Sequence, residues 1–207
     1  IILKELGRLD EAELSYKRVI ALNPFHAKAH SNLGNILYKL GRLDDAKASY
    51  KQAISLKSDY AEAHSNLGGT FKELGRLEDA EVSFRQVISL KPDYAEAHTN
   101  LGVTLKEMGR LDEAEASHGQ AITLKPDFAE AYSNLGNTLK ELGRLEEAVA
   151  SYTQAIALTT GFIAAHRNLA STLRELGKIE QAIESERYAK FLTSSNVETN
   201  ESEKFSD

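Results

Sequence analysis

Residues Ala61–Tyr94 read AEAHSNLGGTFKELGRLEDAEVSFRQVISLKPDY, and this string is one complete copy of a repeat that runs along most of the chain. Its central motif ELGRL also begins at Glu5 and Glu141, and close variants begin at Lys39, Glu107 and Glu175. Consecutive copies of the motif are always 34 residues apart. A fixed period of this length is typical of proteins built from stacked, similar units.

The repeat predicts how the whole chain is organised. A partial copy covers residues 1–26, and a degraded copy with the polar character of a terminal cap covers residues 163–192. Between them lie four complete copies, residues 27–60, 61–94, 95–128 and 129–162. Together they predict a single solenoid over residues 1–192. Residues 193–207 form a polar tail that we expect to be disordered or at most a short helix. Because Ile1 falls in the middle of a copy, we expect earlier residues or whole copies to precede it.

Each copy is predicted to form two helices, over about positions 2–14 and 18–31 of the unit. In the copy quoted above, the apolar residues of the first helix share one face, because they are spaced by four, four and three residues: Ala63, Leu67, Phe71 and Leu74. Position 15 is glycine in all six copies, as a helix end with a left-handed residue requires: Gly7, Gly41, Gly75, Gly109, Gly143 and Gly177. Proline ends the second helix in three copies, at Pro24, Pro92 and Pro126. The predicted fold class is therefore all-α, a solenoid of antiparallel helix pairs.

The composition excludes several classes of function. The chain has no cysteine, so it offers neither a disulfide framework nor thiolate chemistry. No apolar run is long enough to span a membrane, and no secretory signal is visible. The net charge of −6 lacks the basic excess of a nucleic-acid binder. We therefore expect a cytoplasmic protein that binds neither nucleic acid nor membrane.

The sequence offers no catalytic constellation. Histidine occupies position 4 in four copies (His30, His64, His98 and His166), but residues one repeat apart are too distant to share a metal ion. We interpret these histidines as packing residues. Carboxylates are abundant but lie on exposed helix faces, and no nucleophile is paired with a base. We therefore predict that the chain is not an enzyme and that it uses no metal or cofactor.

These residues resemble the tetratricopeptide repeat, whose 34-residue pattern contains Leu-Gly, a large residue, Ala, an aromatic residue and Pro. The copy at residues 95–128 has Leu101-Gly102, Leu105, Ala114 and Pro126, although His118 replaces the aromatic residue. The resemblance implies a right-handed superhelix whose first helices line a concave groove for peptides or partner proteins. Within the family, the strings AEAHSNLG and AEAYSNLG are most similar to the repeats of O-linked N-acetylglucosamine transferases, in which an asparagine at position 6 recurs along the groove.

Asparagine occupies position 6 in every copy that contains this position: Asn32, Asn66, Asn100, Asn134 and Asn168. An amide offers both a donor and an acceptor, so this row is predicted to bind the backbone of an extended peptide. Asn35 and Asn137, three residues further along their helices, complete the candidate amides. The alternative interpretation is that the asparagines cap or cross-link helices, or persist only because duplication copied them.

A lysine row at position 12 includes Lys72, Lys106 and Lys140, and a glutamate row runs beside it at position 13. One interpretation is a solvated face of ion pairs that adds little stability. The other is that the lysines bind an acidic partner segment. The lysine and arginine clamp with which some tetratricopeptide domains hold a chaperone's C-terminal carboxylate is not assembled, because position 6 is always asparagine.

The leading functional hypothesis is a scaffold that binds an extended peptide or a partner protein. One alternative is the non-catalytic, substrate-recruiting region of a larger glycosyltransferase of the type named above. Another is a structural module that forms homo-oligomers through the exposed ends of the solenoid.

Overall fold

The structure is a computed structural model that describes the backbone of residues 2–204 and the side chains of residues 7–194. Within those residues it contains eleven helices and no strand. The helices are α1 (Ile2–Leu22), α2 (Ala27–Lys39), α3 (Leu43–Leu56), α4 (Ala61–Glu73), α5 (Leu77–Leu90), α6 (Ala95–Glu107), α7 (Leu111–Leu124), α8 (Ala129–Glu141), α9 (Leu145–Leu158), α10 (Ile163–Glu175) and α11 (Ile179–Lys204). The predicted all-α fold class is confirmed, and both helices of each complete copy begin and end within one residue of the predicted positions.

The contacts divide the chain into two compact units, residues 1–108 with α1–α6 and residues 109–207 with α7–α11. In the first unit, α2 pairs with α3 and α4 pairs with α5, while α3 also packs on α4 and α5 on α6. In the second unit, α8 pairs with α9 and α10 with α11, while α7 packs on α8 and α9 on α10. Within each unit, neighbouring helices therefore cover the apolar faces that one pair could not bury alone.

A glycine turn joins the two helices of each complete copy. At the end of α4, Gly75 has a φ of +70° and its N–H donates to the Lys72 carbonyl at 2.9 Å. The N–H of Arg76 donates to the Phe71 carbonyl at 2.9 Å, which completes the two bonds of a Schellman motif. A side chain at position 15 would be strained in this left-handed conformation, so the glycine is a requirement of the turn.

Gly7 departs from this rule, because α1 runs without a break from Ile2 to Leu22 and passes through it. The prediction that Gly7 separates two helices is therefore wrong. Glycine permits a left-handed turn but does not impose one. The turn forms where two helices of one copy pack back on each other, whereas residues 2–6 continue the helix that follows Gly7.

A missing side chain lets the two helices of a copy approach closely. A Cβ atom added to Gly68 on α4 would lie 2.8 Å from Cε1 of Phe84 on α5. The same contact joins Gly34 to Tyr50 and Gly136 to Tyr152, each at 2.6 Å. These glycine–aromatic pairs place position 24 of the second helix directly beneath the first helix of its copy.

All four position-4 histidines contact the loop that precedes their helix. The Nε2 atom of His64 lies 3.0 Å from the Ser58 carbonyl, six residues earlier. His30, His98 and His166 make the equivalent contact with Pro24, Pro92 and Thr160 at 2.9, 3.0 and 3.2 Å. Because a carbonyl only accepts, Nε2 carries the proton in each. These rings connect the end of one copy to the start of the next.

Charged side chains also connect neighbouring copies. Nη1 of Arg42, at the start of α3, donates to both carboxylate oxygens of Glu13 on α1 at 2.9 Å. In the second unit, Nη1 of Arg144 donates to Glu115 at 2.6 Å. The hydrogen bond from Lys17, and then that from Arg42, hold the pKa of Glu13 below its ordinary value.

The last copy differs from the others at its aromatic position. Position 8 is Ala170 instead of glycine, and position 24 is Glu186, which pairs with Arg174 and with Lys190. Helix α11 continues past Leu192 to Lys204, so residues 193–204 of the predicted tail belong to a long helix rather than a short one. Residues 205–207 lie outside the described part of the chain. None of the described helices combines the length and the apolar character needed to cross a membrane.

Candidate functional site

The first unit has an open groove on the polar side of its first helices. The groove encloses about 510 Å³ and brings together residues of α2–α6. Its polar lining consists of Asn35, Tyr38, Lys39, Glu62, Ser65, Asn66, Lys72, Glu73 and Asn100. The buried rings of Tyr50 and Phe84 and the backbone of Gly69 complete the lining. Four of the ten candidate residues from the sequence, namely Asn35, Asn66, Lys72 and Asn100, therefore surround one cavity.

The other candidates lie apart from this groove. Asn32 belongs to α2 and Lys106 to α6, but neither lines the cavity. Asn134, Asn137 and Lys140 lie on α8 and Asn168 lies on α10, all in the second unit. The five position-6 asparagines are all half-buried, which is compatible with a role in packing as well as in binding.

Hydrogen bonds fix the orientation of two amides in the groove. The Oδ1 atom of Asn35 accepts one bond from the hydroxyl of buried Tyr50 at 2.7 Å and another from Nδ2 of Asn66 at 2.9 Å. Since Oδ1 is thereby occupied, the Asn35 amide cannot flip without losing both bonds. The N–H groups of Asn35 and the Oδ1 atom of Asn66 remain as a donor and an acceptor of known orientation.

The same arrangement recurs in the second unit. Oδ1 of Asn137 accepts from the Tyr152 hydroxyl at 2.8 Å and from Nδ2 of Asn168 at 2.8 Å. Burial raises the pKa of both tyrosine hydroxyls well above the ordinary range, so they stay protonated and donate. The asparagine at position 6 thus cross-links two first helices where position 9 of the preceding copy is asparagine. Cross-linking of helices is part of the alternative interpretation of the asparagine row given above.

The lysine row is engaged by the glutamate row of the next copy. Nζ of Lys72 lies 3.8 Å from the carboxylate of Glu107, and Nζ of Lys140 lies 2.8 Å from that of Glu175. Lys140 also donates to Ser171 at 2.9 Å. We refer to these contacts between position 12 of one copy and position 13 of the next as the Lys–Glu ladder. The two pairs favour the interpretation of this row as an ion-paired face.

The ladder changes character at the first complete copy. Position 12 is Tyr38 and position 13 is Lys39, where the three following complete copies have lysine and glutamate. Tyr38 and Glu73 both line the groove. Burial, and then the negative charge of Glu73, raise the pKa of the Tyr38 hydroxyl.

The second unit contains a different cavity, of about 460 Å³, between α9, α10 and α11. Its apolar lining includes Val149, Ile156, Leu169 and Leu173. The ring of Tyr188 closes one side, with its centroid 4.7 Å from that of His166. The sequence patterns did not predict this cavity, because it is lined by apolar residues that the helical period assigns to packed faces.

Tyr50 and Tyr152 were missed as contributors to the amide geometry, although the sequence holds a signal for them. Among the four complete copies, the two with tyrosine at position 24 are the two with asparagine at position 9, namely Asn35 and Asn137. The copy with Phe84 has Gly69 at position 9. A buried hydroxyl needs an acceptor and a phenyl ring does not, which accounts for this pairing.

The described side chains do not gather three His, Asp or Glu residues in a way that could hold a metal ion. What the groove offers instead is a row of amides and charges on rigid helices. Such a surface can form hydrogen bonds and ion pairs with a partner along several repeats.

Known structures share this architecture. Over 82% of this chain and 96% of the other, it resembles a fragment of MamA from Desulfovibrio magneticus RS-1, with 21% identity and a TM-score of 0.72. It resembles YrrB, described as a tetratricopeptide-repeat protein with an unusual peptide-binding site, over 92% of this chain and 98% of YrrB, with 22% identity and a TM-score of 0.66. PilF from Pseudomonas aeruginosa matches over 88% of this chain and 77% of PilF, with 20% identity and a TM-score of 0.72. No curated protein sequence matches the chain.

The family model described as the cilia and flagella-associated protein 70 C-terminal domain, a tetratricopeptide-repeat domain, matches residues 2–204. The resemblance to tetratricopeptide repeats drawn from the sequence is thereby confirmed, and the chain belongs to the family of the cilia and flagella-associated protein 70 C-terminal domain.

Proposed function

We propose that this chain is a non-catalytic interaction module that holds an extended segment of a partner protein in the groove of its first unit. The observation that carries the proposal is the pair of oriented amides. Asn35 presents N–H donors and Asn66 presents a carbonyl acceptor, and both orientations depend on the buried Tyr50 hydroxyl. A peptide backbone carries the complementary pair, a carbonyl and an N–H, at every residue.

The spacing of the repeats supports this mode of binding. Packed helices are about 8–10 Å apart, and an extended chain advances about 3.3–3.6 Å per residue. The amides of successive first helices would therefore meet about every third residue of the segment. Contacts of this kind with the backbone predict a broad range of partner sequences. YrrB, whose fold is similar, is described as having a peptide-binding site, which supports the same use of this fold here.

The test is a display selection of random twelve-residue peptides against the 207-residue chain, followed by measurement of binding affinity for synthetic copies of the selected peptides. Replacing Asn66 and Asn100 together by alanine removes two groove amides. Because each hydrogen bond contributes about 0.5–1.5 kcal/mol, we expect binding to weaken about tenfold or more. N-methylation of the peptide amides that contact the groove should have a similar effect.

The matched control removes two exposed amides from second helices, with Gln52→Ala on α3 and Gln86→Ala on α5. This variant should bind as the original chain does. Circular dichroism checks that both variants stay folded. If the asparagine variant is folded and binds every selected peptide with unchanged affinity, the groove does not bind the peptide backbone.

Two alternatives make different predictions. The first alternative, a substrate-recruiting region, rests on the resemblance of AEAHSNLG and AEAYSNLG to glycosyltransferase repeats that was drawn from the sequence alone. A catalytic region after Asp207 in the full-length gene product would favour it. Self-assembly through the exposed ends would appear in light scattering as a mass that rises with concentration. A monomer at all concentrations that still selects peptides favours the interaction module.

A further inference from the structure

We propose that the groove of the first unit contains a site for one lysine or arginine side chain of the bound segment, formed by the carboxylate of Glu73 and the ring of Tyr38. This inference rests on the proposed function, because it concerns one side chain of the segment that the groove would hold.

The Lys–Glu ladder indicates what occupies this position elsewhere in the chain. Glu107 faces Lys72 of the preceding copy, and Glu175 faces Lys140 of the preceding copy. In both cases the protein supplies an ammonium group, 2.8–3.8 Å from the carboxylate of the next copy. In these two pairs, the glutamate at position 13 has beside it the lysine at position 12 of the preceding copy.

This cation is missing at Glu73. Position 12 of the preceding copy is Tyr38, whose hydroxyl carries no positive charge. Among the described side chains, Glu73 makes no ion pair within 4.0 Å, although it remains exposed and lines the groove. Glu62, on the same helix and also in the lining, is likewise exposed and has no ion pair among the described residues. Because Glu62 lies about 16 Å from Glu73 along α4, the two carboxylates do not share one cation. Glu73, whose charge acts on Tyr38, is therefore the carboxylate that lacks the cation found at Glu107 and Glu175.

The other charges in the lining favour a basic guest over an acidic one. The ammonium group of Lys72 is opposed by Glu107, so its charge is largely balanced. Lys39 is the remaining cation in the lining, and Glu62 and Glu73 are the remaining anions. Counted with Glu107, the groove has three carboxylates and two ammonium groups, and this excess of one negative charge favours a basic guest.

Tyr38 adds a second kind of contact for the same guest. Tyr38 is 37% exposed and lines the groove, so part of this residue is accessible there. The face of a tyrosine ring attracts a lysine ammonium or an arginine guanidinium. A carboxylate beside an aromatic face binds a long basic side chain through its charge and through its aliphatic stem.

The experiment uses the peptides obtained from the display selection described above. We expect lysine or arginine to be enriched at one position of the groove-dependent peptides. Replacing that arginine by citrulline keeps its shape and hydrogen bonding but removes its charge. The dissociation constant should rise about threefold to tenfold, the range for an exposed ion pair combined with a cation–aromatic contact.

Protein variants locate the effect. Glu73→Gln should weaken the arginine peptide by the same factor and leave the citrulline peptide unchanged, which a double-mutant cycle measures as coupling. Tyr38→Lys introduces at position 12 the lysine that the following complete copies have. This lysine should pair with Glu73 and abolish the difference in affinity between the arginine and citrulline peptides. The control Glu78→Gln, at the exposed start of α5, changes the net charge equally and should have no such effect.

The outcomes separate this inference from the proposed function. Suppose that the selected peptides require Asn66 and Asn100 but bind Glu73→Gln and Tyr38→Lys as they bind the original chain. The proposal that the groove binds the peptide backbone is then retained, and the proposed site for a basic side chain is wrong. Enrichment of acidic residues whose binding depends on Lys39 would also overturn the site. If no selected peptide depends on the groove asparagines, both proposals fail.

Discussion

Two adjacent glycines on α4 have opposite surroundings. A Cβ atom at Gly68 would lie 2.8 Å from the Phe84 ring, which is itself only 2% exposed, whereas a Cβ at Gly69 would meet no atom within 4 Å. Glycine in a helix costs about 0.5–1 kcal/mol relative to alanine. At Gly68 that cost is offset by the close approach of α5, and at Gly69 nothing in the packing offsets it.

We therefore predict that Gly68→Ala and Gly69→Ala change stability in opposite directions. Gly68→Ala should lower the free energy of unfolding by about 1–3 kcal/mol, because the ring must shift in a packed core. Gly69→Ala should raise it by up to about 1 kcal/mol. Urea unfolding of the two variants measures both. Equal effects of the two substitutions would contradict the role assigned to the Gly68–Phe84 contact.

The amides of the groove illustrate what single residues reveal before a structure is known. The position-6 row marks the polar face of the first helices, because asparagine recurs at a fixed point of the helical period. The orientation of each amide could not be predicted, since it depends on a hydroxyl from another helix, as at Tyr50 and Asn35. The gap at Tyr38 and Glu73 was also missed, because it appears only when position 12 of one copy is compared with position 13 of the next.

At the scale of helices, α1 is held to the next copy by the ion pairs of Glu13. Its carboxylate receives hydrogen bonds from Lys17 and from Arg42. These bonds lower the pKa of Glu13 in the folded chain relative to the unfolded chain. The stabilisation is therefore fully present above the unfolded pKa of about 4.3 and is lost as the pH falls through the folded value.

We predict that Glu13→Gln lowers the free energy of unfolding at pH 7 and that this difference shrinks as the pH falls below about 4. Urea unfolding midpoints at a series of pH values measure the effect. The control Glu11→Gln makes the same charge change on an exposed turn of α1 and should leave the midpoints nearly unchanged at each pH. A constant difference between Glu13→Gln and the original chain across the pH range would contradict the prediction.

Helix boundaries were predictable wherever local chemistry acts alone. Gly75 ends α4 because the Schellman motif requires a left-handed residue, and this requirement is visible in the sequence. The course of α1 was not predictable from Gly7, because the same string ELGRL continues a helix when no packed partner reverses the chain. The extension of α11 to Lys204 was missed for a related reason. Polar composition indicates that a segment has no core to bury, but it does not prevent a helix from continuing.

At the scale of the whole molecule, stability in a repeat protein is a sum over neighbouring contacts. In the first unit, α4 packs against α3 and α5, whereas α1 packs only against α2 among the described helices. In the 207-residue chain, local opening should therefore require less free energy for α1 than for α4. Repeats that are similar in sequence would then differ in their protection from hydrogen exchange, because they have different neighbours in the array.

Hydrogen exchange measured by mass spectrometry tests this gradient. We predict that amides of α4 exchange at least about tenfold more slowly than those of α1, since each 1.4 kcal/mol of opening free energy changes exchange tenfold. Comparison of both helices within one sample controls for pH and temperature. Equal protection of α1 and α4 would mean that the first unit opens in a single cooperative step.

The absence of a Lys–Glu contact at Tyr38 and Glu73 has a consequence for how such chains diversify. Tyr38 belongs to one 34-residue copy and Glu73 to the next, so the gap is a property of a junction and not of either copy alone. Recombination that exchanges, inserts or deletes whole copies would move the gap along the groove, or erase it, without altering a single codon. The order of otherwise interchangeable copies would then be inherited information about which side chain of a partner is recognised, and where.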